Sequence, residues 1–208
     1  MTRQEKATEI IKRLSKLYPN PVSALHYETP WQLLVATMMA AQTTDKLVNT
    51  LTPALFQKFK TIKNMADAPV EDIAEMIHKV NFHSNKAKNI KAAAQMVMET
   101  YGGEVPQTME ELDALPGVAR KTANVVLGDA FHKTYGIVVD THVIRLSNKL
   151  GLTTQKDPVK IEKDLMELVP KEQWRFFGHY LTYFGREYCP ARPHKCEECP
   201  LKELCPDK

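Results

Sequence analysis

Apolar residues recur along this chain in steps of three and four: at Ala7, Ile11, Leu14 and Leu17, at Ile90, Ala94, Val97 and Tyr101, and at Trp174, Phe177, Leu181 and Phe184. That is the period of an α-helix with one face turned to a core, and strand-like alternation is nearly absent. Helix starts stand where the pattern needs them. Thr29 precedes Pro30 and Asp157 precedes Pro158, each pairing a capping side chain with a proline whose missing N–H is no loss in a first turn, and Thr108 with Glu111 reads as a capping box. Only Ile137, Val138 and Val139, a β-branched run between Gly136 and Asp140, favour extended backbone, and the run is short enough to be a linker. The pattern predicts an all-α, two-lobed fold with short connections and no repeat. A central helical bundle is expected over residues 21–134, with residues 1–20 packing on 135–208 as a second lobe.

A chain of 208 residues can bury a core unaided. Its longest uncharged run, Thr29 to Thr44, is shorter than a membrane span and contains Gln, Thr and Pro. The first residues, MTRQEKATEI, are charged and helical rather than a secretory signal, so the protein is expected to be cytoplasmic, without a membrane partner. An excess of 28 basic over 25 acidic residues is too even to name a nucleic-acid partner, and the distribution must carry that argument. Between Met76 and Met98 stand Lys79, Lys86, Lys88, Lys91, His78 and His83 with no acid, a stretch that by itself reads as one solvated basic face. It is interrupted by Phe82, a large ring between polar Asn81 and His83 that helix packing explains poorly.

All four cysteines fall in the last twenty residues, at Cys189, Cys196, Cys199 and Cys205. Their C-x6-C-x2-C-x5-C spacing has the look of four ligands for one metal centre. Thiolates are soft and suit tetrahedral zinc or a cubane iron–sulfur cluster, between which the spacing does not choose. Two disulfides are the plainer alternative, but nothing indicates oxidising export. Between the first two cysteines a proline-stiffened loop carries Arg192 and Lys195, placed for phosphate contact if a metal holds the loop in shape.

Leu115-Pro116-Gly117-Val118-Ala119-Arg120-Lys121-Thr122 precedes Ala123, Val126, Leu127, Ala130 and Phe131 at helical spacing. Two helices are thus joined by a tight turn. Pro116 ends the first, Gly117 permits backbone closed to other residues, and the second helix can present its first amides outward to a phosphate without reading a base. A plain interhelical turn would explain Pro and Gly but not Arg120 and Lys121 at its exit.

Through LPGVARKTANVV, through VDTHVIRL, whose Asp140 lies nineteen residues after Lys121, and through the terminal cysteines, the chain resembles the endonuclease III family of DNA glycosylases. AAQTTDKLVN, Ala40 to Asn49, adds a further matching segment, and the likeness spans the whole chain. The resemblance implies a bifunctional DNA N-glycosylase and abasic-site lyase acting by β-elimination on oxidised or saturated pyrimidines in duplex DNA, a monomer serving base excision repair. It implies that Lys121 is the nucleophile, Asp140 the catalytic carboxylate, and that the cysteines hold a [4Fe–4S] cluster. It also makes Leu115 to Arg120 a helix-hairpin-helix gripping DNA through Gly117, Ala119 and Arg120, with Phe82 as a wedge in the base stack and Gln42 filling space near the extruded base.

The residue types suit this chemistry. A lysine amine can displace a base from C1′ and remain attached as a Schiff base, after which the C2′ proton is lost and the 3′ phosphate leaves; Arg120 and the helix amides favour its neutral, attacking form. Asp140 would meet the oxocarbenium charge that develops on the sugar. His142 reads as a packed or capping residue. Two positions depart from the family pattern: Ala119 stands where a second hairpin glycine is usual, at a cost of about 1–2 kcal/mol if φ must be positive, and Asn81 stands where Gly is common. The rival readings are an adenine- or mismatch-type glycosylase and a non-enzymatic, metal-stapled DNA-binding protein. The first typically lacks the hairpin lysine and uses a Glu where Thr37 stands here, and the second needs the hairpin and cysteines but not Lys121 with Asp140.

Overall fold

In the computed structural model, which describes residues 1–193 and 196–206, the longest uncharged run of the sequence becomes a helix enclosed on nearly every side. This is α2 (Pro30–Ala40), which buries Trp31, Leu33, Leu34, Val35, Ala36, Met38 and Met39. A helix apolar all round belongs in a core. Around it pack α3 (Asp45–Lys58), α6 (His83–Thr100) and α8 (Arg120–Phe131), while α4 (Ile62–Asp67) and α5 (Val70–Met76) lie on α6, and α7 (Met109–Asp113) on α8. These elements form one compact unit, Ser23–Lys133.

The other unit joins Met1–Val22 to Thr134–Lys208. In it α1 (Arg3–Leu17) packs on α10 (Pro158–Leu168) and α11 (Trp174–Glu187), and α9 (Thr141–Lys149) packs on α10 and α11. Ile10, Leu14, Val143, Leu146, Ile161, Leu165, Phe177, Leu181 and Phe184 fill its core. Among the described residues every regular element is helical, and no helix is long and apolar enough to cross a membrane.

Thr29, Thr108 and Asp157 each cap their helix by accepting a first-turn amide. At Thr108 the box is incomplete, because its hydroxyl also donates to the Glu111 carboxylate at 2.8 Å. The full reciprocal box is at Thr2 and Glu5. The apolar stripe of α1 is also shifted from its expected phase: Ile10 is fully buried, Ile11 only partly, and Leu17, in the last turn, is 41% exposed. Both Ile10 and Ile11 are apolar, so only the neighbouring helices decide which one faces inward.

The segment before α9 is extended, with Ile137 and Val139 buried. Two glycines of α11 let it approach. A Cβ on Gly178 would stand 2.4 Å from the Val138 carbonyl oxygen, and one on Gly185 2.7 Å from His142 Nδ1 and 3.0 Å from Leu146 Cδ1. Two turns apart, these glycines share one helix face. Helix propensity alone favours Ala over Gly by roughly 0.8–1.0 kcal/mol. The clash at Gly178 is with backbone, which cannot swing aside, so overpacking of about 1–3 kcal/mol outweighs that gain. Gly178→Ala is expected to melt several degrees below the parent, and a midpoint at or above the parent's in a thermal unfolding scan would show that the linker yields.

Candidate functional site

The hairpin is closed by backbone bonds from Leu115 N to Leu112 O (3.1 Å) and from Val118 N to Leu115 O (3.0 Å), with Leu115 and Val118 buried beneath it. Gly117 has φ of 76°, and a Cβ there would fall 2.7 Å from the Asn89 side chain of α6. Conformation and space both require glycine. Ala119, the N-cap of α8, has φ of −109° and ψ of 164°. That is ordinary extended backbone, so the penalty foreseen for replacing a glycine here does not arise. Gly117, Ala119, Arg120 and Lys121 are all exposed at the positive end of the α8 dipole.

In the same unit two tight turns project polar and apolar tips. Gln42 and Phe82 have φ of 56° and 57°, and only His132 among the other non-glycine described residues shares that sign. Phe82 is 63% exposed, so it is not a core residue reached by a bent turn. The acid-free stretch around it is not one solvated basic face. Lys86 is 8% exposed, its Nζ donating to the carbonyls of Met39 (2.8 Å) and Ala41 (2.5 Å), and Lys91 donates to the Ala68 carbonyl at 2.7 Å. Burial pushes the Lys86 pKa down, while the carbonyls at the negative end of α2 favour the ammonium. Lys79 and Lys88 remain exposed. Thr37, on α2, turns its hydroxyl back to the Leu33 carbonyl at 2.7 Å.

In the other unit Asp140 is the N-cap of α9. Its Oδ1 accepts the Val143 amide at 2.9 Å and its Oδ2 accepts the Thr182 hydroxyl at 3.0 Å. The same hydroxyl lies 2.9 Å from the Gly178 carbonyl, and with one proton it serves one acceptor at a time. Sequence reading missed Thr182, whose only signal was its place on α11 between the two close-packed glycines. His142 is packed against Gly185.

None of the four cysteines is in a disulfide, and all four line one cavity of about 50 Å³ together with Leu146, Phe184 and Leu201. Among the described residues no three His, Cys, Asp or Glu side chains are gathered tightly enough to hold a single ion. Burial pushes the Cys199 thiol up, and its three neighbouring cysteines add to that. Four thiolates in an apolar cavity need a compensating cationic centre, and this donor set fits an iron–sulfur or zinc site. Arg145 of α9 donates to the Cys189 carbonyl at 2.6 Å, and Arg13 of α1 donates to the Pro200 carbonyl at 2.9 Å and to Glu203 at 3.0 Å. Neither arginine was foreseen. Arg192 is exposed, and Lys195 lies outside the described residues.

A helix-hairpin-helix opening onto Arg120 and Lys121 defines a class, and residues 35–171 match the family model of the HhH-GPD superfamily base excision DNA repair protein. Endonuclease III of Synechocystis sp. is 52% identical over 205 residues, 99% of this chain and 94% of that protein. Endonuclease III of Bacillus subtilis is 44% identical over 196 residues, 94% of this chain and 89% of that protein. A solved non-covalent endonuclease III–DNA complex matches with a TM-score of 0.92 at 39% identity, over 99% of this chain and 96% of that one, as does a trapped endonuclease III–DNA covalent intermediate. The chain belongs to the endonuclease III family of the HhH-GPD base excision repair proteins.

Proposed function

We propose that this protein is a bifunctional DNA N-glycosylase and abasic-site lyase that removes oxidised or saturated pyrimidines from duplex DNA in base excision repair, acting as a cytoplasmic, nucleoid-associated monomer. The observation that carries the reading is Lys121, an exposed amine on the first turn of the helix that leaves the hairpin. Phosphate grip and nucleophile are thereby parts of one rigid element.

The amides and cations from Gly117 to Lys121 hold backbone phosphates without reading sequence. The damaged nucleotide turns out of the stack, Phe82 enters the gap, and Gln42 fills the space left behind. The neutral amine of Lys121 bonds to C1′ as the glycosidic bond breaks, and the bonding electrons leave with the base, which takes up a proton. Ring opening gives a Schiff base. Loss of the C2′ proton then sends an electron pair through the new double bond and expels the 3′ phosphate. Asp140 stabilises the oxocarbenium charge as it appears. Its two oxygens are held by the Val143 amide and the Thr182 hydroxyl, so its orientation does not wait for substrate.

Cys189, Cys196, Cys199 and Cys205 would hold a [4Fe–4S] cluster. A cluster fills a space between four thiolates, whereas one zinc draws its ligands in to about 2.3 Å. When bound, it supplies a rigid cross-link. The chain's own residues use that frame to fix α9, through Arg145 on Cys189, and to hold exposed Arg192 for phosphate contact.

Lys121→Gln is expected to abolish borohydride-trapped adducts on abasic DNA while duplex binding persists, and undiminished trapping would assign the chemistry to another amine. A hydrogen bond to a charged group contributes roughly 1.5–3 kcal/mol, but the Thr182 hydroxyl is shared with Gly178. Thr182→Val should therefore slow base excision by about tenfold or less with KM little changed, and Thr182→Ser should restore the rate; an unaltered kcat in Thr182→Val would leave the hydroxyl serving α11 alone. Protein purified without air should be yellow-brown with about four irons per chain, and colourless protein with one stoichiometric zinc would overturn the cluster assignment.

A further inference from the structure

Helix α2 ends without glycine and without a basic residue in its last turn. Its terminal carbonyls still need donors, and the usual solution, a left-handed glycine just past the end, is missing. The Thr43 amide bonds the Ala40 carbonyl at 3.0 Å past left-handed Gln42, and the donor to the Met39 and Ala41 carbonyls comes from α6. Lys86 Nζ reaches the Met39 and Ala41 carbonyls at 2.8 and 2.5 Å and the Thr43 hydroxyl oxygen at 3.4 Å, while the Lys86 backbone amide bonds the Phe82 carbonyl at 3.0 Å. One residue thus holds the turn that carries Gln42 by its side chain and the turn that carries Phe82 by its main chain. Asn81 adds a second tie, its Nδ2 donating to the Gln42 carbonyl at 2.6 Å. A glycine at that position, the residue common in the family, could not make it.

Gln42 and Phe82 are both left-handed without being glycine. Each such conformation is strained and persists only where the surroundings hold it. A buried lysine is likewise rare unless its charge is satisfied, and a methionine would fill the same volume at no such risk. Strain at two exposed tips and a buried ammonium between their stems have one common explanation.

We propose that Asn81 and Lys86 are positioning residues that clamp the 41–43 and 81–82 turns into one two-pronged element, so that Gln42 and Phe82 enter the duplex in fixed register. The proposal rests on the reading of this protein as a glycosylase that turns out its target base. Neither residue touches the reacting atoms. Their effect is on insertion, which an intact lesion duplex demands more than a preformed abasic site, where one base is already missing from the stack.

The test compares the parent with Asn81→Gly, Lys86→Met and Lys86→Arg in three assays: single-turnover excision on a lesion duplex, cleavage at a preformed abasic site, and fluorescence of 2-aminopurine stacked beside the lesion. Asn81 is exposed, so Asn81→Gly should fold and melt as the parent does. It is expected to lower excision about two- to tenfold, the range one neutral hydrogen bond spans, with a smaller fall in abasic cleavage and a reduced 2-aminopurine signal on mixing. Lys86→Met should show the same split more strongly and Lys86→Arg a weaker one; if Lys86→Met does not fold, Asn81→Gly decides alone. The clamp is overturned if Asn81→Gly matches the parent in the excision-to-cleavage ratio and in fluorescence. The fluorescence arm reads insertion without chemistry, so a parent that fails to trap with borohydride counts against the enzymatic reading only, and the fluorescence comparison still decides the clamp.

Discussion

The approach of α11 to the chain between Val138 and Leu146 is the constraint on which the carboxylate site in the unit of Met1–Val22 and Thr134–Lys208 depends. Gly178 meets the Val138 carbonyl and Gly185 meets His142 and Leu146, so the two glycines bracket the start of α9. Thr182 lies between them on the same face and is thereby within hydrogen-bond reach of Asp140. A methyl at Gly178 would meet the Val138 backbone, press α11 away and weaken the Thr182 bond to the carboxylate. Packing density here is therefore not generic core quality. It sets where a charged oxygen stands.

The Ser23–Lys133 unit solves a different problem with the same kind of tool. Helix ends carry carbonyls and amides that must be satisfied, and local caps do this at Thr29, Thr44, Thr61 and Thr108. At the C-terminus of α2 the partner is non-local, a lysine forty-five residues along the chain from Ala41. A local cap stabilises one helix, whereas a distant one makes the geometry of two loops a single variable. The same logic recurs in the other unit, where Arg145 and Arg13 bond carbonyls of the cysteine segment and tie it to α9 and α1.

The sequence was legible where structure is set by neighbours in the chain. Period, caps and the β-branched linker come from interactions within a few residues, and the motifs that mark the family are contiguous strings such as LPGVARKTANVV. What could not be read was set by contacts across the fold. Ile10 and Ile11 are equally apolar, and α10 and α11 choose between them. Lys86 counted as one more solvated charge because nothing local marks it as buried. Ala119 looked like a strained substitution, yet its backbone is extended, since the glycine requirement of the hairpin falls on Gly117. Asn81 had no assignable effect until its amide was seen on the Gln42 carbonyl.

Helix α9 shows how a metal centre held by the four cysteines would bear on a carboxylate at the other end of the helix. Its nine residues span about 14 Å, with Asp140 capping one end, Arg145 on Cys189, and Leu146 lining the cysteine cavity. Phe184 of α11 lines that cavity as well, and Thr182, two residues earlier, bonds the carboxylate. Four thiols around an apolar space are a poor core by themselves, because their charged forms repel and their neutral forms leave the space unfilled. A metal centre held there would bear on α9 and α11 together, the two helices that orient Asp140. Preorganisation of the carboxylate then does not come from its own two hydrogen bonds alone. Those bonds fix its rotamer, the glycine contacts fix the separation of the helices that make them, and the cysteine segment fixes the far ends of both helices.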